Sequence, residues 1–100
     1  MVQEMIKLRQ MLDDEGIAWH DKSDKERNLY SIDRTHFDHR GYSFSVIHGY
    51  ATYGGYSSWT DKDDEKLELM TNAHNNGNPV GWLTAEDVMR IVRGEQNETY

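Results

Sequence analysis

One hundred residues with 36% apolar and 29% charged side chains make one domain with a modest core. A net charge of −7 argues against a nucleic-acid polymer as ligand, because phosphate contacts demand a basic face. With no cysteine the chain has no disulfide or thiolate metal site, and no apolar run approaches the ~20 residues that span a membrane.

No signal peptide is evident at the start, and the expected setting is cytoplasmic. The expected domain covers 1–94, with a frayed tail over 95–100. In chain order, the spacing predicts a helix over 2–15. Met1, Met5, Leu8 and Leu12 form its inner stripe, widened by Ile6 and Met11, and Gly16 stops it. Asp13, Asp14 and Glu15 crowd the last turn, where the dipole disfavours acids; they are either a solvated end or a contact for a basic partner. Residues 17–20 read as a short strand and 21–27 as a charged loop. Residues 28–36 alternate, with Tyr30, Ile32 and Arg34 on one face; residues 42–48 alternate with Tyr42, Phe44, Val46 and His48 together. Asp38-His39-Arg40-Gly41 between them is a hairpin connection. A register centred on residue 39 pairs Ile32 with Val46, Arg34 with Phe44 and Tyr30 with His48.

After an aromatic stretch, Thr60 or Asp61 caps a predicted helix reaching Ala73, with Leu67, Met70 and Ala73 inward and Asp63, Asp64 and Glu65 in its first turn. Residues 74–79 form a loop and 80–83 an extended segment. Thr84 caps a last helix through Arg93, which buries Val88, Ile91 and Val92 and ends at Gly94. The expected class is α+β: a small antiparallel three-stranded sheet packed with about three helices, in the order α-β-β-β-α-α.

No nucleophile elbow, paired-carboxylate motif or HExxH appears, so an enzyme is not expected. His36 and His39 flank a hairpin tip, but no third ligand is fixed by spacing, so neither a metal nor another cofactor is expected. The stretch HGYATYGGYSSW, residues 48–59, stands out. Tyr50, Tyr53, Tyr56 and Trp59 recur at every third position, and Gly54-Gly55 lacks the lysine of a phosphate loop. Cations beside flat rings are the ingredients of a nucleotide site, guanidinium on phosphate and ring on base. The candidate ligand-binding set is therefore Arg34, His36, Arg40, His48, Tyr50, Tyr53, Tyr56 and Trp59. In the competing structural reading, Arg34 pairs with a surface acid while Tyr50 and Trp59 plug the sheet's end. Surplus aromatics also suit an oligomer interface, and a homo-oligomer is expected.

Arg34-Thr35-His36-Phe37, Ser45-Val46-Ile47-His48-Gly49, Thr52-Tyr53-Gly54-Gly55, Leu67-Glu68-Leu69-Met70 and Gly81-Trp82-Leu83-Thr84-Ala85-Glu86-Asp87-Val88 occur in that order. Gly16-Ile17-Ala18-Trp19 ends the first helix. As a set these motifs resemble a group of small uncharacterised proteins encoded by bacteriophages and prophages, over most of residues 4–93. The resemblance implies a setting, the cytoplasm of an infected bacterium, and supplies no catalytic residue. It suggests a protein that counters host antiviral defence by sequestering a small nucleotide signal of the cyclic-nucleotide or ADP-ribose type. One alternative is a protein-binding inhibitor, such as an anti-CRISPR, whose acidic surface (Asp61, Asp63, Asp64, Glu65, Glu68) enters a nucleic-acid channel. Another is a phage accessory module with no defence role.

Overall fold

Alternation of buried and less buried side chains governs residues 35–38 and 44–48 in the middle of the chain. The computed structural model describes residues 1–24, 31–57 and 62–95. Its elements are α1 (Gln3–Asp14), β1 (Trp19–Asp21), β2 (Ile32–His39), β3 (Tyr42–Gly49), β4 (Tyr56–Ser57), β5 (Lys62–Asp63), β6 (Leu67–Thr71), β7 (Val80–Leu83) and α2 (Ala85–Val92). A single 3-10 turn, Asn75–Gly77, links β6 to β7. Five strands form one antiparallel sheet in the order β1-β2-β3-β6-β7, and β4 and β5 make a separate two-stranded ribbon between β3 and β6. The α+β class holds. The expected three strands and three helices become five sheet strands and, among the described residues, two α-helices.

One face of the sheet carries the core. Thr35 and Phe37 of β2, Phe44 and Val46 of β3, Leu67 and Leu69 of β6, and Val80 and Leu83 of β7 are buried against Met5, Leu8 and Leu12 of α1 and Val88, Met89 and Val92 of α2. Phe37 and Phe44 stack with centroids 5.1 Å apart at the centre of the hairpin. The helices are tied to each other as well as to the sheet. Glu4 of α1 accepts the Ala85 backbone N–H at 2.7 Å, satisfying a free donor at the start of α2. Lys7 reaches Glu86 at 3.1 Å. That contact raises the Lys7 ammonium above its ordinary value; Glu86's own backbone N–H, then Lys7, hold the Glu86 carboxyl below the usual range.

Thr84 completes a reciprocal cap on α2: its hydroxyl accepts from the Asp87 N–H at 3.1 Å, and the Asp87 carboxylate accepts from the Thr84 N–H at 3.0 Å. Thr84→Ala removes one half of this box. We expect a loss of about 1 kcal/mol, read as a fall of about 4–8 °C in a circular-dichroism melt.

Two expectations fail here. The β2–β3 hairpin turns on Arg40-Gly41, with φ of +53° and +81°, so His39 faces Tyr42 and Phe37 faces Phe44. The register therefore differs by three residues from one centred on residue 39. An odd shift exchanges the faces of β2: Arg34 stands opposite Ile47 on the outer face, while Thr35 meets Val46 in the core. The predicted helix over 60–73 also fails. Its start, Thr60 and Asp61, lies outside the described residues, as do the start of the predicted 28–36 strand and residues 96–100 of the tail. Lys62–Asp63 and Leu67–Thr71 are strands, with Leu67, Leu69 and Thr71 inward at period two. Asp63, Asp64 and Glu65 thus do not open a helix, and no helical acidic face exists there.

Candidate functional site

Among the described residues no helix covers the sheet's second face, and the composition of that face follows from the register. Four side chains line up across β1, β2, β3 and β6: His20 opposite His36, His36 opposite Ser45, and Ser45 opposite Met70. The next row holds Arg34, Ile47 and Glu68. The row beyond His36 holds Asp38 opposite Ser43, whose hydroxyl donates to the Asp38 carboxylate at 2.9 Å. Asn72 continues that end, its side-chain oxygen accepting the Ser43 backbone N–H at 3.0 Å.

A depression of about 350 Å³ opens on this face, lined by His36, Ser43, Ser45, Met70, Asn72 and Gly77. That is the lower end of the range for small-molecule sites, room for one ring system and not for a polymer. Its floor is apolar, since Met70 is 47% exposed. Its polar groups are uncommitted: among the described residues neither the His36 imidazole nor the Ser45 hydroxyl makes a hydrogen bond, and the Asn72 amide nitrogen has none. Arg34, two residues from His36 on the same face of β2, lies about 6.7 Å along the strand. Its guanidinium also has no hydrogen bond or ion pair among the described residues. Carboxylates stand at both ends, Asp38 at one and Glu68, two strands from Arg34 and bound by the Tyr53 N–H, at the other, so an anionic group is favoured only at Arg34 itself, on β2.

The other candidates are placed elsewhere. Arg40, at the hairpin tip, donates from Nε to the Val92 carbonyl at 3.2 Å and lies 5.7 Å from the Tyr42 ring centroid. It closes the last turn of α2, where a cation suits the dipole. His48 is buried on the core side of β3, with Nε2 2.9 Å from the Asp63 carboxylate, which ties the β4–β5 ribbon to the sheet. Tyr50 and Tyr56 stack on each other at 5.7 Å, joined by a bridge that closes the loop. Trp59 lies outside the described residues.

Tyr53 belongs to a second feature. The 50–57 loop folds over the outer face at the β6–β7 end, where the Tyr53 N–H donates to the buried Glu68 carboxylate at 2.7 Å and the Tyr53 carbonyl accepts the Trp82 N–H at 3.1 Å. The Tyr53 ring stacks on Trp82, 5.7 Å apart and 7° from parallel. Gly55 makes the fold of the loop possible: a Cβ there would lie 2.3 Å from the Gly49 carbonyl and 2.2 Å from the Thr52 hydroxyl. The structure therefore keeps Arg34 and His36 together and separates them from the aromatic loop. Ser45, Met70, Asn72 and Trp82 were missed. Their one signal in the sequence is position, Ser45 and Met70 falling on the polar phase of alternating strands.

Among the described residues no group of three His, Asp or Glu side chains could hold a metal ion. No described helix is long and apolar enough to cross a membrane. Comparison with known proteins gives no relative: no family model, curated protein or solved structure matches the chain.

Proposed function

We propose that this chain binds and sequesters a small nucleotide on the outer face of its sheet, without chemical turnover. The supporting observation is the convergence on an apolar-floored depression of polar groups, and of a guanidinium beside it, that have no partner among the described residues. A heterocyclic base fits over Met70, with the Asn72 amide and Ser45 hydroxyl along its edge. Its phosphate falls toward Arg34, with the His36 imidazole between. A ribose spans a distance comparable to the Arg34–His36 spacing. The resemblance to phage-encoded proteins supplies the setting, the cytoplasm of an infected bacterium, and the purpose, removal of a cyclic-nucleotide or ADP-ribose-type immune signal. A homo-oligomer suits this role, since it multiplies sites per particle. The acidic-inhibitor alternative has less support, because Asp63 is engaged by His48 and Glu68 by the Tyr53 backbone, and residues 62–71 carry no helical acidic face.

The test is calorimetry and thermal shift against cyclic di- and trinucleotides and cyclic ADP-ribose isomers, with size-exclusion chromatography alongside. The expected result is saturable binding of one of these classes with a rise in Tm. At a free ligand concentration a hundred times Kd, linkage gives about 2.7 kcal/mol of added stability. Failure of every class to bind a well-folded sample overturns the proposal.

A further inference from the structure

Trp82 is held in a conformation that a strand interior does not require. Between the Leu67–Leu83 and Leu69–Val80 pairs β7 carries one more residue than β6, a bulge, and Trp82 within it has φ of +56°. A bulky residue in the left-handed region is an outlier, and bulges characteristically re-aim a side chain. Here the ring is turned outward. Trp82 is 58% exposed and its stacking partner Tyr53 50% exposed. The arrangement is fixed from several sides. The indole Nε1 donates to Asp64 Oδ2 at 3.0 Å, and Gly81 leaves space for Tyr53, whose Cβ would lie 2.3 Å from a Cβ at that position. Core burial does not account for a ring pair that stays half in water.

The same chain shows what such an assembly can hold. Trp19 has its indole nitrogen fixed on a carboxylate, Asp13 Oδ1 at 2.8 Å, and its face covered by the Arg9 guanidinium at 4.6 Å. Arg9 is anchored in turn on Asp21 at 3.4 Å. Trp82 repeats the first half of that pattern: the indole nitrogen rests on Asp64, and one ring face is covered by Tyr53. Among the described residues no guanidinium lies over the Trp82 ring. The charge set against the ring is suited to one: Asp64, which accepts the indole N–H, is exposed, and so is Glu65, the next residue in the chain. Lys62 stands 3.8 Å from Asp64 Oδ1 with its side chain largely in solvent. An apolar partner would have to desolvate these carboxylates, and an acidic partner would meet them directly.

We propose that the Tyr53–Trp82 pair is a docking site for an arginine-bearing segment of a partner protein. The guanidinium stacks on the exposed indole face and bonds the Asp64 and Glu65 carboxylates. The chain's net charge of −7 draws such a segment in. This site is separate from the nucleotide site and does not rest on it.

The experiment titrates the protein with a short capped peptide alternating arginine and glycine, and with its lysine and citrulline counterparts. Tryptophan fluorescence and the indole N–H resonances report binding. We expect saturable binding of the arginine peptide with a shift of the Trp82 indole signal, weaker binding of lysine, and none of neutral, isosteric citrulline. Trp82→Gly removes the ring at a backbone conformation glycine adopts freely, and is expected to weaken binding roughly tenfold. Asp64→Asn with Glu65→Gln keeps the ring and is expected to weaken it roughly threefold, a readout that stands if the glycine variant fails to fold. Arg34→Ala leaves this binding unchanged. Equal binding of arginine and lysine peptides, unaffected by either variant, would show diffuse attraction to an acidic protein and overturn the proposal, as would no binding at all.

Discussion

Phe44→Ala is expected to lower the unfolding free energy by about 3–5 kcal/mol, the range for a buried phenylalanine truncated in a packed core. Phe44 is 1% exposed and sits where three elements meet. It stacks on Phe37 across the hairpin and faces Thr71 across the β3–β6 pair. Alanine leaves a cavity that the sheet cannot close, because strand spacing is fixed by the backbone ladder. For a chain of this length each kcal/mol shifts Tm by about 4–8 °C. The variant should therefore melt at least about 12 °C below the parent in calorimetry. If the parent lies near the lower end of ordinary stabilities, about 5 kcal/mol, the variant is substantially unfolded near body temperature. A loss under about 1 kcal/mol in urea titration would mean that Phe44 is not the keystone of this core. The variant should also lose both proposed binding activities in proportion to its unfolded fraction, since both sites lie on the sheet it supports.

The parts of this fold that could be read in advance are those whose signals are local. Thr84, Asp87 and Gly94 delimit α2, because a capping box and a left-handed stop act within one or two turns. The alternation of Phe44, Val46 and His48 gave β3 its inner face for the same reason. Residues 62–71 were ambiguous by nature. Leu67, Met70 and Ala73 match a helical stripe, and Leu67, Leu69 and Thr71 match a strand equally well over so short a run. The sheet decides between them, because β6 fills the space between β3 and β7. Carboxylates that suit a helix start instead bind His48 and the Trp82 indole, partners distant in sequence. The hairpin was misjudged by three residues because Arg40-Gly41 lacks the asparagine or aspartate that usually announces a tight two-residue turn. Arg40 is kept there by the Val92 carbonyl, a contact no local pattern reveals. The same error concealed the site. Only the true register sets Arg34 and His36 on the outer face and brings Ser45, Met70 and Asn72 up to them.

Arg34→Ala separates the site from the scaffold most sharply. In the register centred on residue 39, Arg34 would share a face with Phe44. In the structure it stands opposite Ile47 on the outer face, and its guanidinium has no bond to lose among the described residues. Its backbone N–H donates to the Ser23 hydroxyl oxygen at 2.9 Å, a bond that does not depend on the side chain. The melting temperature should therefore stay within about 3 °C of the parent, as for a half-buried side chain with no bond to lose among the described residues. Binding of a phosphate-bearing nucleotide should fall roughly 10- to 100-fold in calorimetry, since hydrogen bonds to charged groups contribute about 1.5–3 kcal/mol each. Arg34→Lys should recover part of that loss, because an ammonium keeps the charge but not the planar, two-pronged contact with phosphate. Asn72→Ala should act differently, reducing preference among bases more than affinity for phosphate. An unchanged Kd in Arg34→Ala would remove the anionic end of the site. A collapse in Tm would show that Arg34 supports the sheet and leave the depression around Met70 without its phosphate partner.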